Sequence, residues 1–151
     1  MGGERVAEEY TYRIEKEIDV MAYLQNLRYA LDHGAEITFQ KKRKVDENRD
    51  ERFTNTYTMG KLFPNENPAD ALRRELKTLT VKEYLRTVKD TRLPHLDDMR
   101  EFGKIYPENS EVYIKIRVNL LNTSGFIGHT TFVMSFHYAE KPFSEETFPY
   151  A

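Results

Sequence analysis

The order of elements along this sequence predicts an α+β domain: a twisted antiparallel sheet with helices packed on one face. Three observations predict it. Strand-like alternation opens and closes the chain, in EYTYRIEKE near the start and in EVYIKIRVN and HTTFVMSFHY near the end. Helical spacing governs the segments between them, as in DVMAYLQNLRYALDHG and ADALRRELKTL. The 151 residues favour one domain (1–151) with enough chain to bury a core.

Each element has a local reason. In residues 9–17, Tyr10, Tyr12 and Ile14 alternate with Thr11, Arg13 and Glu15, the pattern of a first strand. Asp19 then opens an amphipathic helix on which Val20, Tyr23, Leu24, Leu27 and Leu31 recur at helical spacing, with Gly34 placed to end it. EITFQKKRKV sets Ile37 and Phe39 against Thr38, Gln40, Lys42 and Lys44. It is expected to form a hairpin with FTNTYTM (53–59) across a charged tip at 45–52. Asn67 and Pro68 fit an N-cap and first helical position for the next helix. Thr80 and Glu83 have the spacing of a capping box, which predicts a further helix over VKEYLRTVKD. Pro94 would stop it, and HLDDMREF would form a short turn ended by Gly103. The two final strands should pair across the loop holding Gly125 and Gly128, with Phe132, Met134, Phe136 and Tyr138 on the inward face.

Composition narrows the function classes. Charged residues make up 32% of the chain and hydrophobic residues 39%, the balance of a folded, water-soluble domain. A net charge of −2 argues against coating nucleic acid through a broad positive field, although 23 Lys and Arg can still be gathered on one surface. No cysteine is present, which excludes disulfides and thiolate metal sites. MGGERVAEEY has no apolar stretch of the kind that targets secretion, and no apolar run reaches membrane-spanning length. A cytoplasmic location without membrane attachment is the expectation.

The strand EVYIKIRVN carries the chemistry of most interest. Its inward half is Val112, Ile114, Ile116 and Val118; its outward half is Tyr113, Lys115 and Arg117, spaced about 7 Å apart. Pairing with the last strand would add Ser135 and His137 to the same face. Such a set suits RNA transesterification. One group takes the 2′-hydroxyl proton, one neutralises the phosphate and one protonates the departing 5′-oxygen. Lys115 or Arg117 would hold the phosphate, and Tyr113 or His137 would move protons. The plainer reading is that polar residues alternate on the solvated face of any sheet. KKRK (41–44) is an RNA-contacting edge, an edge charged against aggregation or a solvated turn, and Lys42, Lys44 and Lys104 are candidate RNA contacts. His95 with Asp97 and Asp98, and His129 with His137, match no established metal-ligand spacing. No glycine-rich phosphate loop or serine nucleophile elbow occurs, so no cofactor or metal is expected.

The segments LTVKEYLRTVKD, FGKIY, EVYIKIRV and TFVMSFHYAEK together resemble the C-terminal half of MqsR-type toxins, members of the RelE-like superfamily of mRNA interferases. The likeness lies in an aromatic-bearing helix, an aromatic turn, a VYxKI strand and a closing strand with SF before a charged tail. It is strongest over residues 79–141. The resemblance implies a RelE-like fold, a metal-independent endoribonuclease activity and a cognate antitoxin protein as partner. It places the family's strand lysine on Lys115, its helix-borne basic residue near Arg86 and its catalytic tyrosine near Tyr106. The chain departs from the pattern in a longer N-terminus, a charged insertion and the lack of tryptophan. The rival reading is a non-enzymatic protein-binding module, such as an immunity, antitoxin-like or phage-borne inhibitory protein. A third is a small-molecule sensor built on the aromatic sheet.

Overall fold

The computed structural model of the chain describes residues 9–40, 47–123 and 126–151. Six strands form one sheet in the order β1-β3-β4-β5-β6-β2. They are β1 (Tyr10–Arg13), β2 (Glu36–Phe39), β3 (Tyr84–Asp90), β4 (Met99–Tyr106), β5 (Ser110–Thr123) and β6 (Phe126–Tyr138). Neighbours are antiparallel except β2, which runs parallel to β6. Three helices, α1 (Glu17–Asp32), α2 (Asn55–Leu62) and α3 (Pro68–Leu76), complete an α+β architecture.

The helices share one face of the sheet. Val20, Leu24, Leu27 and Leu31 of α1, Met59 of α2 and Ala71, Leu72 and Leu76 of α3 pack into a single core with Tyr84, Phe102, Val112, Ile114, Ile116, Val133 and Phe136 from the strands. The α1 stripe is the one its 3.6-residue spacing predicts. The helix starts two residues before Asp19, with Glu17 and Asp19 in the first turn, where carboxylates favour the positive end of the helix dipole. Gly34 ends it at φ +83°, a left-handed conformation natural to glycine, while Ala35 N–H donates to the Ala30 carbonyl. For α3, the Asn67 side chain accepts from Asp70 N–H ahead of the helix, with Pro68 in its first turn, as the sequence predicts.

Three expectations are overturned. Residues 53–59 do not form the return strand of a hairpin: Glu51–Phe53 is a 3₁₀ turn and α2 follows. The Thr54 hydroxyl caps it by accepting from Tyr57 N–H. The helix is needed beside β6, because β2 pairs only with Glu36↔Thr130 through Phe39↔Val133 and leaves the rest of that edge bare. Asn55, fully buried, accepts from Phe136 N–H and donates to the carbonyls of Gln40 and Met134, and the Thr58 hydroxyl accepts from Tyr138 N–H. The i, i+3 spacing of a helix puts both side chains on that edge.

The helix expected over 80–90 is also corrected. Thr80 and Glu83 do close a capping contact, with Thr80 N–H donating to Glu83 at 2.9 Å, but it opens only the 3₁₀ turn Val81–Glu83. Strand β3 then begins at Tyr84, where Tyr84, Leu85, Thr87 and Val88 are all buried. A bulge after Tyr84 lets neighbouring residues bury on both faces, which mimics helical spacing in the sequence. The third correction follows from β3. The expected turn is confined to residues 94–96, and from Met99 the segment is β4, with Gly103 inside the strand rather than ending a turn.

Candidate active site on the open face of the sheet

The face of the sheet away from the helices carries the candidate chemistry. On β5, Tyr113, Lys115 and Arg117 point to it, opposite Val112, Ile114 and Ile116 in the core. The β5–β6 register pairs Tyr113 with His137 and Lys115 with Ser135, as expected for the closing hairpin. A bulge at β6 then shifts the register, so that Ile116 pairs with Val133 and Arg117 with Phe132. The inward stripe expected at Phe132 and Met134 is therefore wrong beyond Phe136. Val133 and Thr131 are the buried residues there, and Phe132 shares the open side with Arg117, whose guanidinium lies 4.9 Å from its ring.

A cleft of about 440 Å³ opens over this face, with Tyr113, Lys115, Ser135 and His137 on its floor and Arg49 and Lys141 on its rim. The chain after β6 forms one wall. Phe143 and Phe148 pack edge to face 5.4 Å apart and sit directly over Gly103, where a Cβ would come within 2.7 Å of the Phe143 ring. Only glycine permits that approach. Tyr150 carries the segment onward to stack with Tyr84, and its hydroxyl donates to the Glu15 carbonyl.

The side chains on the floor are held by specific partners. His137 is almost fully buried, and its ring lies 5.4 Å from that of Tyr113 at 42°. Its Nδ1 is 2.9 Å from the Tyr138 carbonyl oxygen. A carbonyl only accepts, so Nδ1 carries the hydrogen and Nε2 is the basic nitrogen of the neutral ring. Burial, together with the charge and hydrogen bond of the neighbouring Glu101 carboxylate, pushes the Tyr113 phenol well above its ordinary pKa, with Arg86 opposing. Tyr113 is thus a proton donor and not a base. The ammonium of Lys115 lies 5.5 Å from the ring of Tyr10 on β1, which brings the edge strand to the same cleft.

Beside the cleft, Arg86 of β3 is gripped by two carboxylates: Nη1 donates to Glu101 at 2.5 Å and Nη2 to Glu146 at 2.5 Å. Burial disfavours its charge, but the two carboxylates outweigh this and raise its pKa further. Its charge is therefore already matched, and its part is to fix Glu101 under Tyr113 and to tie the C-terminal segment to the sheet. Glu101, Glu146 and Arg49 were not singled out in the sequence. Only recognising β3 and β4 as paired strands would have found Glu101, because Arg86↔Glu101 is a register pair.

Of the residues expected at the site, Lys115, Tyr113, His137, Arg117 and Arg86 share this face. Tyr106 and Lys104 do not. Both point to the helix side of β4, where the Tyr106 hydroxyl donates to Glu75 at 2.8 Å and packs on Phe63 and Phe136, and Lys104 pairs with Glu83 at 3.2 Å. Lys42 and Lys44 lie outside the described residues. Among the described residues no group of three or more His, Cys, Asp or Glu could hold a metal ion, and no helix is long and apolar enough to cross a membrane.

The chain matches no protein-family model, no curated protein and no solved structure.

Proposed function

We propose that the open-face cleft binds the phosphate of an RNA backbone and that the chain is a toxin-like endoribonuclease acting by transesterification without a metal. The observation that carries this reading is the cross-strand set Tyr113, Lys115, Ser135 and His137, which lines one cleft with both a buried histidine of fixed tautomer and a protonated phenol. His137 Nε2 takes the proton of the 2′-hydroxyl, and the 2′-oxygen attacks phosphorus as the bond to the 5′-oxygen breaks. Lys115 balances the charge that builds on the non-bridging oxygens. The Tyr113 hydroxyl gives the departing oxygen its proton, with Lys115 as the nearby cation that meets the phenolate. All the groups this chemistry needs are side chains of the protein itself.

The VYIKI strand supports kinship with the RelE-like interferases, and with it a cognate antitoxin as partner. The strand conformation of residues 84–90 and the distant position of Tyr106 mean that this support rests on β5 and β6 alone. The test is direct. Purified protein with single-stranded RNA in EDTA should release fragments ending in 2′,3′-cyclic phosphate. Cleavage that disappears in chelator and returns with magnesium would overturn the proposed chemistry.

A further inference from the structure

A second, shallower hollow of about 480 Å³ opens on the same face of the sheet, beside the cleft. Tyr12, Arg86, Glu101 and Glu146 line it, and it shares Tyr113 and Lys115 with the cleft. The two hollows meet at that pair. His137 and Ser135 line only the cleft, whereas Tyr12 and Arg86 line only the second hollow.

The charges in the second hollow are matched. Glu101 and Glu146 hold Arg86, and Lys141 lies 3.8 Å from Glu146. A further phosphate entering there would meet two carboxylates whose cations are engaged. A flat neutral group fits better, and a surface for it is present. Tyr12 is 62% exposed, and its ring stacks with no other ring or cation among the described residues. Tyr10, on the same side of β1, differs: Arg92 and Lys115 each lie 5.5 Å from its ring. Pairing with β3, from Tyr10↔Asp90 to Arg13↔Thr87, fixes the strand that presents Tyr12. Exposed aromatic rings held on a sheet are surfaces on which bases of single-stranded RNA stack.

The direction of the chemistry decides which base reaches Tyr12. His137, the base for the 2′-hydroxyl, faces the cleft alone, while Tyr113, the acid for the departing 5′-oxygen, faces both hollows. The attacking and leaving oxygens lie roughly in line on opposite sides of phosphorus. With the phosphate at Lys115, the nucleoside bearing the 2′-hydroxyl sits on the His137 side and the leaving nucleoside passes to the Tyr12 side. We propose that Tyr12 stacks the base on the 3′ side of the cut bond and so positions the leaving nucleoside, an assignment that rests on the RNA-cleaving role of the cleft. Every base has a face to stack, so Tyr12 adds affinity without choosing sequence.

The test compares a short RNA with one mapped cut and the same RNA with an abasic residue directly 3′ of that cut, both on the full chain. On the intact RNA, Tyr12→Ala should raise KM about tenfold with kcat retained, and Tyr12→Phe, which keeps the ring, should match wild type. The abasic RNA should cost wild type about the same tenfold in kcat/KM. It should cost Tyr12→Ala nothing further, because the two changes remove one contact. Equal KM for folded Tyr12→Ala and wild type would overturn the stacking and leave the cleavage chemistry standing. So would losses that multiply, which would place the effect of the ring elsewhere, as on a docked protein strand. The abasic arm needs no variant, so wild type that cuts both RNAs equally well would overturn the stacking even if Tyr12→Ala did not fold. A wild-type chain that cuts no RNA would overturn the stacking and the cleavage together.

Discussion

Tyr113 and His137 stand opposite each other across β5 and β6, their rings 5.4 Å apart, one held as a proton donor by Glu101 and the other with its Nδ1 hydrogen given to a backbone carbonyl. The pair joins an acid and a base in one cleft. Tyr113→Phe keeps the ring contact and removes only the hydroxyl. RNA cleavage should then fall about a hundredfold, the scale of general acid catalysis, while stability changes by about 1 kcal/mol. Single-turnover kinetics beside a urea melt separates the two.

Tyr106 makes the contrasting prediction. Its hydroxyl bonds Glu75 on the helix side of the sheet, so Tyr106→Phe should cost about 1 kcal/mol of stability and leave cleavage at the wild-type rate. A loss of cleavage in folded Tyr106→Phe would place the reactive face on the wrong side of β4.

Gly103 is where the C-terminal segment crosses the sheet. Gly103→Ala drives a Cβ into the Phe143 and Phe148 rings, at 2.7 and 2.8 Å, and should destabilise by about 1–3 kcal/mol through overpacking. Adding Phe143→Ala should cost less in the Gly103→Ala background than in wild type, because the part of the clash made by the Phe143 ring is then relieved. Denaturant unfolding of the four proteins reads this coupling.

Acid stability should report on Glu15. Burial alone would raise its pKa, but hydrogen bonds from Arg100 and Thr87, with the charges of Arg100 and Arg13, lower it below the ordinary value. The folded-state pKa is therefore below the unfolded one. The stabilisation is present in full above the ordinary carboxylate pKa of about 4.3 and is lost as pH falls through the lower folded value. Glu15→Gln should cost about 1.5–3 kcal/mol at neutral pH and flatten the acid limb of the stability curve, as followed by melts between pH 7 and 2.

How far the sequence reveals this molecule varies with the element. The stripe on α1, the Asn67-Pro68 start of α3 and the alternation of β5 are each set by local spacing, and each stands where that spacing predicts. The face shared by Tyr113, Lys115, Ser135 and His137 follows from the hairpin between β5 and β6. The rest depends on partners far along the chain. Bulges in β3 and β6 break the two-residue period, so Tyr84 and Leu85 imitate a helix and Phe132 leaves the stripe that its spacing continues. Asn55 and Thr58 look like strand residues, yet they form a helix because β6 needs their hydrogen bonds. Glu101 and Glu146 are tied to each other at the site by Arg86, a link across 15 and 60 residues that no short motif carries.

In the proposed reaction Lys115 meets a phosphate in the transition state. The most direct measurement is the single-turnover rate of RNA cleavage by Lys115→Ala against wild type in EDTA, with circular dichroism confirming that both are folded. The expected result is a loss of about a hundred- to thousandfold, as for removal of one oxyanion-stabilising donor, and relief of growth arrest when the variant rather than wild type is expressed in bacteria. Cleavage by Lys115→Ala at the wild-type rate would contradict the account, as would a wild-type chain that cuts no RNA with or without ribosomes.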